Sequence, residues 1–230
     1  MTDVFYKGKL VDRNAPIRVK TCGRALKHTV HLDKVKAEQF VLPIGKKKTH
    51  VIGINPSQIT TEDLAVSLQP AANYVPTDGY SKVAAVERHH NTGKIGVAVA
   101  KGYGIRNGAV ASSVSHDSHN IIVIGDNDRD MALAVDEIIR TQGGYTVVEN
   151  GEVFETLPLP IMGLMSDAGF ESVNETLGRM IKKAHEMGVS ADIEPFITLS
   201  FLALPVIPTL RITPRGLCLL TAKGPEILQE

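Results

Sequence analysis

Four short, strongly apolar segments in the middle of the chain constrain its fold more than any other feature. Val83–Val86, Ile95–Ala100, Ala109–Val114 and Ile121–Ile124 are rich in Val, Ile and Ala and are bounded by Gly or Asn. Runs of this length and composition are typical of well-buried β-strands. The sequence therefore predicts that neighbouring strands of one sheet form this part of the chain.

Polar side chains occupy the connections between these predicted strands. The segment Ser115–Asn120 reads SHDSHN, contains no apolar residue and lies between the third and fourth runs. The first and second runs are joined by a segment that begins ERHHN at Glu87. Because loops held by a rigid scaffold often carry function, the sequence predicts that a functional site lies in these two connections.

The residues of the two connections allow two interpretations. Histidine titrates near neutral pH and carboxylates orient imidazole rings, so the group could supply metal ligands or an acid–base pair. The same side chains could instead satisfy one another and the glycine-rich backbone without catalysis. The candidates for a supporting catalytic role are His116, Asp117 and His119. The candidates for contacts with a substrate are Arg88, His89, His90, Ser118 and Asn120.

Several separated segments resemble one known protein family. They are KGYGIRNGAVASSVSHDSHNIIVIG with the preceding VERHHNTGKIG, the proline-rich LPLPIMGLMS and the later FITLSFLALPVIPTLRIT. Over roughly residues 40–215 the chain is similar to the C-terminal domain of bacterial and archaeal adenine deaminases, members of the amidohydrolase superfamily. Their metal-binding N-terminal (β/α)8 barrel carries a His-x-His pair, and this chain contains none. The resemblance therefore implies the C-terminal domain without its barrel.

The resemblance also implies a reaction and partners. In the complete family enzyme a metal-bound hydroxide attacks C6 of adenine, which gives hypoxanthine and ammonia. Manganese or iron is expected there, but no metal ligand is assigned to this chain. The two polar connections are expected to line or close the mouth of a purine pocket whose metals come from the barrel. The expected partners are a barrel-containing deaminase domain or chain, adenine, and further copies in a homo-oligomer.

Two alternatives from other functional classes stay open. The chain could be a non-catalytic module that binds purine or drives oligomerisation. It could also be an autonomous hydrolase in which its own histidines hold a metal, namely His89, His90, His116 and His119. Stoichiometric metal in the purified protein would favour the autonomous hydrolase, whereas purine affinity without turnover would favour the binding module.

Charge and cysteine content argue against several functional classes. With 25 basic and 25 acidic residues the chain has a formal net charge of +0, so no global field favours nucleic acid or an anionic membrane. A complete barrel alone takes ~250 residues, more than the 230 present. Only two cysteines, Cys22 and Cys218, and no long apolar span are present. These features predict a reduced, cytoplasmic setting.

The rest of the chain predicts an α+β fold, a layered arrangement with a mostly antiparallel sheet flanked by helices and no (β/α)8 barrel. Helices are predicted over residues 127–142, with Asp126 or Asn127 as cap, and over Ser172–Met187, with a capping box between Ser172 and Glu175. A hairpin through Asn150-Gly151 is predicted between them.

Other segments give weaker patterns. Strands are predicted at Phe40–Ile44 and His50–Ile54, and residues 59–68 fit either a turn of helix or a strand. The apolar residues 192–204 fit either a buried helix or an extended segment. Prolines 205, 208 and 214 predict an irregular tail that follows the surface.

The sequence divides into two predicted parts. Residues 1–39 contain a strand at 4–11 with an internal Lys-Gly turn, followed by a polar connection. The resemblance implies that this part is a remnant of the small β-sandwich that flanks an amidohydrolase barrel. Residues 40–230 are the adenine deaminase C-terminal-type domain. Cys22, His28 and His31 suggest a zinc knuckle, but no second CxxC or HxxxH motif completes one.

Overall fold

The structure is a computed structural model that describes residues 3–12, 23–77 and 79–228. These residues form thirteen β-strands and three α-helices. The strands are β1 (Phe5–Tyr6), β2 (Lys9–Leu10), β3 (Thr49–Ile54), β4 (Thr61–Val66), β5 (Tyr80–Val86), β6 (Ile95–Lys101), β7 (Gly108–Ser112), β8 (Ile121–Gly125), β9 (Gly144–Glu149), β10 (Glu152–Pro158), β11 (Leu210–Thr213), β12 (Gly216–Thr221) and β13 (Gly224–Ile227). The helices are α1 (Asp128–Thr141), α2 (Phe170–Glu186) and α3 (Pro195–Leu202).

An eight-stranded sheet forms the centre of the molecule, in the order β10-β9-β7-β8-β5-β6-β3-β4. Its strands pair antiparallel except for β3 and β6, which run parallel. The four predicted central strands are β5 to β8, and all four are confirmed. The α+β class is confirmed as well, and no closed barrel occurs among the residues that the structure describes.

Both faces of this sheet are covered, which explains why its central strands are apolar at nearly every position. Helix α1 packs on one face, where Met131, Val135 and Ile138 belong to the same core cluster as Ala84 and Val86 of β5. Helices α2 and α3 and a three-stranded antiparallel sheet, β11-β12-β13, cover the other face. The neighbouring residues of β5 therefore alternate between two cores.

The helices agree with the sequence patterns in position, although not in every cap. The side chain of Asn127 accepts a hydrogen bond from the backbone N–H of Asp130 at 2.9 Å, as expected for the cap of α1. The predicted capping box of α2 is wrong, because the helix begins two residues earlier, after Gly169, and Ser172 lies inside its first turn. The buried-helix alternative for residues 192–204 is confirmed by α3.

Two predicted elements differ from the structure. Residues 40–44 do not form a strand: a 3-10 turn ends at Phe40, and Ile44 makes only an isolated bridge to Ala71. Pro43 lacks the N–H donor that a strand at this position would need. The proline-containing tail is also not irregular, since β11 to β13 form there, with Pro208 before the first strand and Pro214 in its turn.

The first part of the chain forms a short hairpin and then a mostly irregular connection. Strands β1 and β2 pair antiparallel around Lys7-Gly8, where both residues have positive φ. Residues 23–40, called the connecting segment below, contain two 3-10 turns. Cys22 of the suggested zinc knuckle lies outside the described residues, and His28 and His31 are exposed. The assignment of residues 1–39 to a β-sandwich remnant stays a prediction.

Candidate functional site

The two polar connections lie side by side at one end of the central sheet. Strands β5 and β8 are antiparallel, and Val86 at the end of β5 pairs with Ile121 at the start of β8. The loop of residues 87–94, called the Glu87 loop below, therefore emerges beside Ser115–Asn120, the histidine loop. The Nε2 atom of His89 lies 2.8 Å from the carbonyl oxygen of Ser118. The structure thus brings together the candidate residues of both loops.

Four imidazole rings lie on this end of the sheet, most of them partly accessible to solvent. The ring centroids of His116 and His119 are 6.0 Å apart, and those of His89 and His90 are 6.3 Å apart. His116 also packs against the ring of Phe201 in α3 at 4.9 Å. Asp117 and Ser118 are exposed, as is His90. The site is therefore an open polar surface with an aromatic contact that fixes one imidazole.

His119 has an unsatisfied buried atom and a perturbed titration. Its Nδ1 atom is buried and has no hydrogen-bond partner among the described residues. Burial lowers the pKa of His119, and the nearby His116 and Arg88 lower it further, against the opposing effect of Asp117. The ring is therefore neutral at pH 7, with a nitrogen lone pair that can accept a hydrogen bond or a proton.

Glu87 holds the turn that carries His89 and His90. Its carboxylate accepts hydrogen bonds from the backbone N–H groups of His89 at 2.5 Å, His90 at 2.9 Å and Thr92 at 3.1 Å. Burial would raise the pKa of Glu87, but these N–H donors and the Thr92 hydroxyl outweigh it and lower the pKa to about 2. Glu87 is therefore a permanently charged structural group rather than a general base.

Asn120 and Arg88 are buried beneath the same surface. The side chain of Asn120 accepts a hydrogen bond from the backbone N–H of Arg88 at 3.3 Å and donates to the Ser118 hydroxyl at 3.1 Å. The guanidinium of Arg88 donates to the carbonyls of His119, Thr29 and Met162. The sequence pattern gave no sign of these last two partners, because a carbonyl acceptor can belong to any residue.

The histidines do not form a ligand set for a metal ion. Within residues 3–12, 23–77 and 79–228, no three His, Cys, Asp or Glu side chains are arranged so that they could hold one. The manganese or iron implied by the resemblance therefore does not fit the described part of this chain.

Two clefts lie away from the histidine loop. One, of about 140 Å³, is lined by Thr77, Tyr80, Arg106 and Asp126 and lies at the opposite ends of β5 and β8. The other, of about 350 Å³, is lined by residues of the segment 67–77. Neither cleft includes a residue of the Glu87 loop or the histidine loop.

Comparison with known proteins assigns the family. The sequence model of the adenine deaminase C-terminal domain matches residues 58–223, which include both loops of the site. This chain belongs to that family. The match to the adenine deaminase C-terminal domain confirms the resemblance that the separated sequence motifs indicated. In the part of the chain that the structure describes, no helix is long and apolar enough to cross a membrane.

Curated adenine deaminases are similar to almost the whole chain. The enzyme of Desulfitobacterium hafniense (strain Y51) is 50% identical over 216 residues, and that of Nitratidesulfovibrio vulgaris (strain DP4) is 46% identical over 220 residues. Adenine deaminase 2 of Carboxydothermus hydrogenoformans is 41% identical over 220 residues. Each alignment covers 93% of this chain but only 38% or 39% of the relative. The adenine deaminase C-terminal domain thus spans less than two-fifths of these relatives.

Proposed function

We propose that this domain completes the active site of an enzyme that hydrolyses adenine to hypoxanthine and ammonia. The observation that carries the proposal is the open surface with His116 and His119, where a buried imidazole nitrogen has no partner among the described residues. An N-terminal portion of the complete enzyme, folded as a metal-binding barrel with manganese or iron, would face this surface. The histidine loop then lines or closes the mouth of its purine pocket.

The path of the connecting segment supports this arrangement. The backbone N–H of His31 donates to the carbonyl of Arg88 at 2.7 Å, and the side chains of Asp33 and Asn91 are hydrogen-bonded at 2.9 Å. The segment that leads into the domain therefore runs directly beside the Glu87 loop. A preceding domain attached through this segment would lie close to the candidate site.

The residues of the site have distinct roles in this proposal. His119, which is neutral at pH 7, accepts a proton from the attacking water and donates it to the departing amine, which leaves as ammonia. His116, held against Phe201, shapes the neighbouring wall, and the exposed Asp117 favours transient protonation of His119. His89, His90 and Ser118 supply polar contacts, while the buried Asn120 orients Ser118.

The proposed setting follows from the composition. A formal net charge of +0 supports a small-molecule substrate rather than nucleic acid or a membrane surface. Cys218 is a buried free thiol, which fits a reducing, cytoplasmic compartment. We propose that the complete enzyme is a homo-oligomer of such two-part chains.

A domain exchange tests the proposal. The C-terminal portion of the Desulfitobacterium hafniense adenine deaminase is replaced by this chain, which is 50% identical to it. Ammonia release from adenine is measured for the chimera and for the isolated chain, each with added manganese or iron. We expect turnover by the chimera and none by the isolated chain. Metal-dependent turnover by the isolated chain would overturn the proposal and favour an autonomous hydrolase, whereas an inactive, folded chimera that binds adenine would favour a binding module.

A further inference from the structure

We propose that Arg88 is a positioning residue that couples the connecting segment to the histidine loop and makes no contact with substrate. The inference deepens the proposed function and rests on it for the catalytic consequence. The coupling itself is a property of this chain alone.

The guanidinium of Arg88 joins three separate segments of the chain. Its Nε atom donates to the carbonyl of His119, Nη1 donates to the carbonyl of Thr29 at 3.0 Å, and Nη2 donates to the carbonyl of Met162 at 3.0 Å. These acceptors belong to the histidine loop, the connecting segment and the proline-rich segment after β10. The planar guanidinium, whose geometry is fixed, therefore sets the relative positions of these three segments.

The same contacts leave Arg88 poorly suited to bind a substrate. The residue is 2% exposed, and no carboxylate of the described residues pairs with it. Its three nitrogen atoms donate to three backbone carbonyls, and Nη1 also donates to the Thr29 hydroxyl at 3.4 Å, which leaves few of the five guanidinium N–H donors for a ligand. Burial lowers the pKa of Arg88 to about 10, and the side chain is still charged at neutral pH.

Gly163 shows how closely the protein packs around this guanidinium. A Cβ atom at Gly163 would lie 3.0 Å from the carbon and both terminal nitrogens of the Arg88 guanidinium, and the residue has a φ of +71°. The carbonyl of Gly163 accepts a hydrogen bond from the Ser113 hydroxyl at 2.6 Å. The proline-rich segment therefore packs against Arg88 at a position that only glycine occupies without strain.

Arg88 also acts electrostatically on His119, the ring that the histidine loop presents. His116, Asp117, His89 and Arg88 are the charged or titratable groups that influence this imidazole. Of these, Arg88 has a permanent positive charge and is bonded to the backbone of His119 itself. Loss of the guanidinium should therefore change both the position and the titration of His119.

Arg211 is a matched control. It is also fully buried, burial also lowers its pKa to about 10, and its guanidinium also donates to three backbone carbonyls. Those acceptors are in Ile59, Ile207 and Pro208, which belong to neither the connecting segment nor the histidine loop. Arg211→Met therefore measures the general cost of removing a buried arginine.

The test uses NMR titration of His119 and backbone hydrogen exchange on this chain. We expect Arg88→Met to raise the pKa of His119 and to speed exchange about tenfold or more in both residues 24–35 and the histidine loop. Arg88→Lys keeps the charge but cannot make three fixed contacts, so exchange should rise in both segments while the pKa of His119 changes less. Arg211→Met should leave the pKa of His119 and the exchange in both segments unchanged.

Other results would overturn the inference. The inference fails if backbone hydrogen exchange in the Arg88 variants changes in only one of the two segments. It also fails if Arg211→Met shifts the pKa of His119 as much as Arg88→Met does. If Arg88→Met does not fold, the same two measurements on Arg88→Lys and Gly163→Ala test the inference. Gly163→Ala displaces the guanidinium without removing it. In the active chimera we expect Arg88→Lys to lower kcat/KM about 10²-fold. An inactive chimera would count against the proposed function, whereas the isolated chain still tests the coupling.

Discussion

Glu87, Arg88 and Arg211 are charged residues whose partners are backbone groups rather than opposite charges. Glu87 accepts hydrogen bonds from three backbone N–H groups of one turn, and each arginine donates to three carbonyls. Lys82 is different, because its buried ammonium lies 2.6 Å from the carboxylate of Asp128. Backbone partners have no signature in the sequence, so the pattern alone suggested that Arg88 faces a substrate. It could not indicate that the guanidinium points inward.

Glu87→Gln tests the role of the Glu87 carboxylate. The folded pKa is about 2 against an ordinary 4.5, so the stability it contributes is present above about pH 4.5 and is lost as the pH falls through about 2. Allowing for solvent screening at this partly exposed group, we expect the variant to lose about 1 kcal/mol of unfolding free energy at neutral pH. Urea denaturation near pH 7 and near pH 3 should show that the difference shrinks on acidification. A pH-independent difference, or one equal to that of Glu62→Gln on the exposed edge of β4, would contradict this role.

Elements with a strong periodic pattern were predictable, and elements defined by long-range contacts were not. The apolar runs of β5 to β8, the stripe of α1 and the Asn150-Gly151 turn all depend on neighbours in the sequence, and all are confirmed. The strands β11 to β13 depend on docking against β6, which the local pattern of prolines concealed. The first turn of α2 was misplaced because Gly169, without a capping side chain, precedes it.

Gly96→Ala tests the docking of the three-stranded sheet. A Cβ atom on Gly96 would lie 2.0 Å from the carbonyl oxygen of Thr213 and 2.7 Å from the amide nitrogen of Gly216, and neither backbone atom can move independently of the β11–β12 turn. We expect a loss of about 2–3 kcal/mol in unfolding free energy, measured by urea denaturation. Gly45→Ala is the matched control, because no atom lies within 4 Å of its Cβ position. Equal effects of the two substitutions would show that β6 and the small sheet are not in this close contact.

At the scale of the whole molecule, the proximity of the two polar connections follows from the predicted strands, whereas the contacts within them do not. Two polar connections between adjacent buried strands had to emerge at the ends of one sheet, and antiparallel pairing of β5 with β8 brings them together. The contribution of the connecting segment could not be predicted in the same way. Thr29 and Arg88 are 59 positions apart, and the contact between them follows from the folded path of the chain rather than from any local pattern.

We propose that the histidine loop takes part in adenine hydrolysis when this domain is joined to a metal-binding barrel. The most direct measurement is kcat/KM for ammonia release from adenine by the active chimera, with His119→Asn compared with His50→Asn. His50 is also a partly exposed histidine, but it pairs with Asp63 on β4 at 2.9 Å, at the edge of the sheet. We expect His119→Asn to lower kcat/KM about 10²-fold or more and His50→Asn to leave it nearly unchanged. Equal activity of the two variants, in folded protein with the same metal content, would contradict the claim.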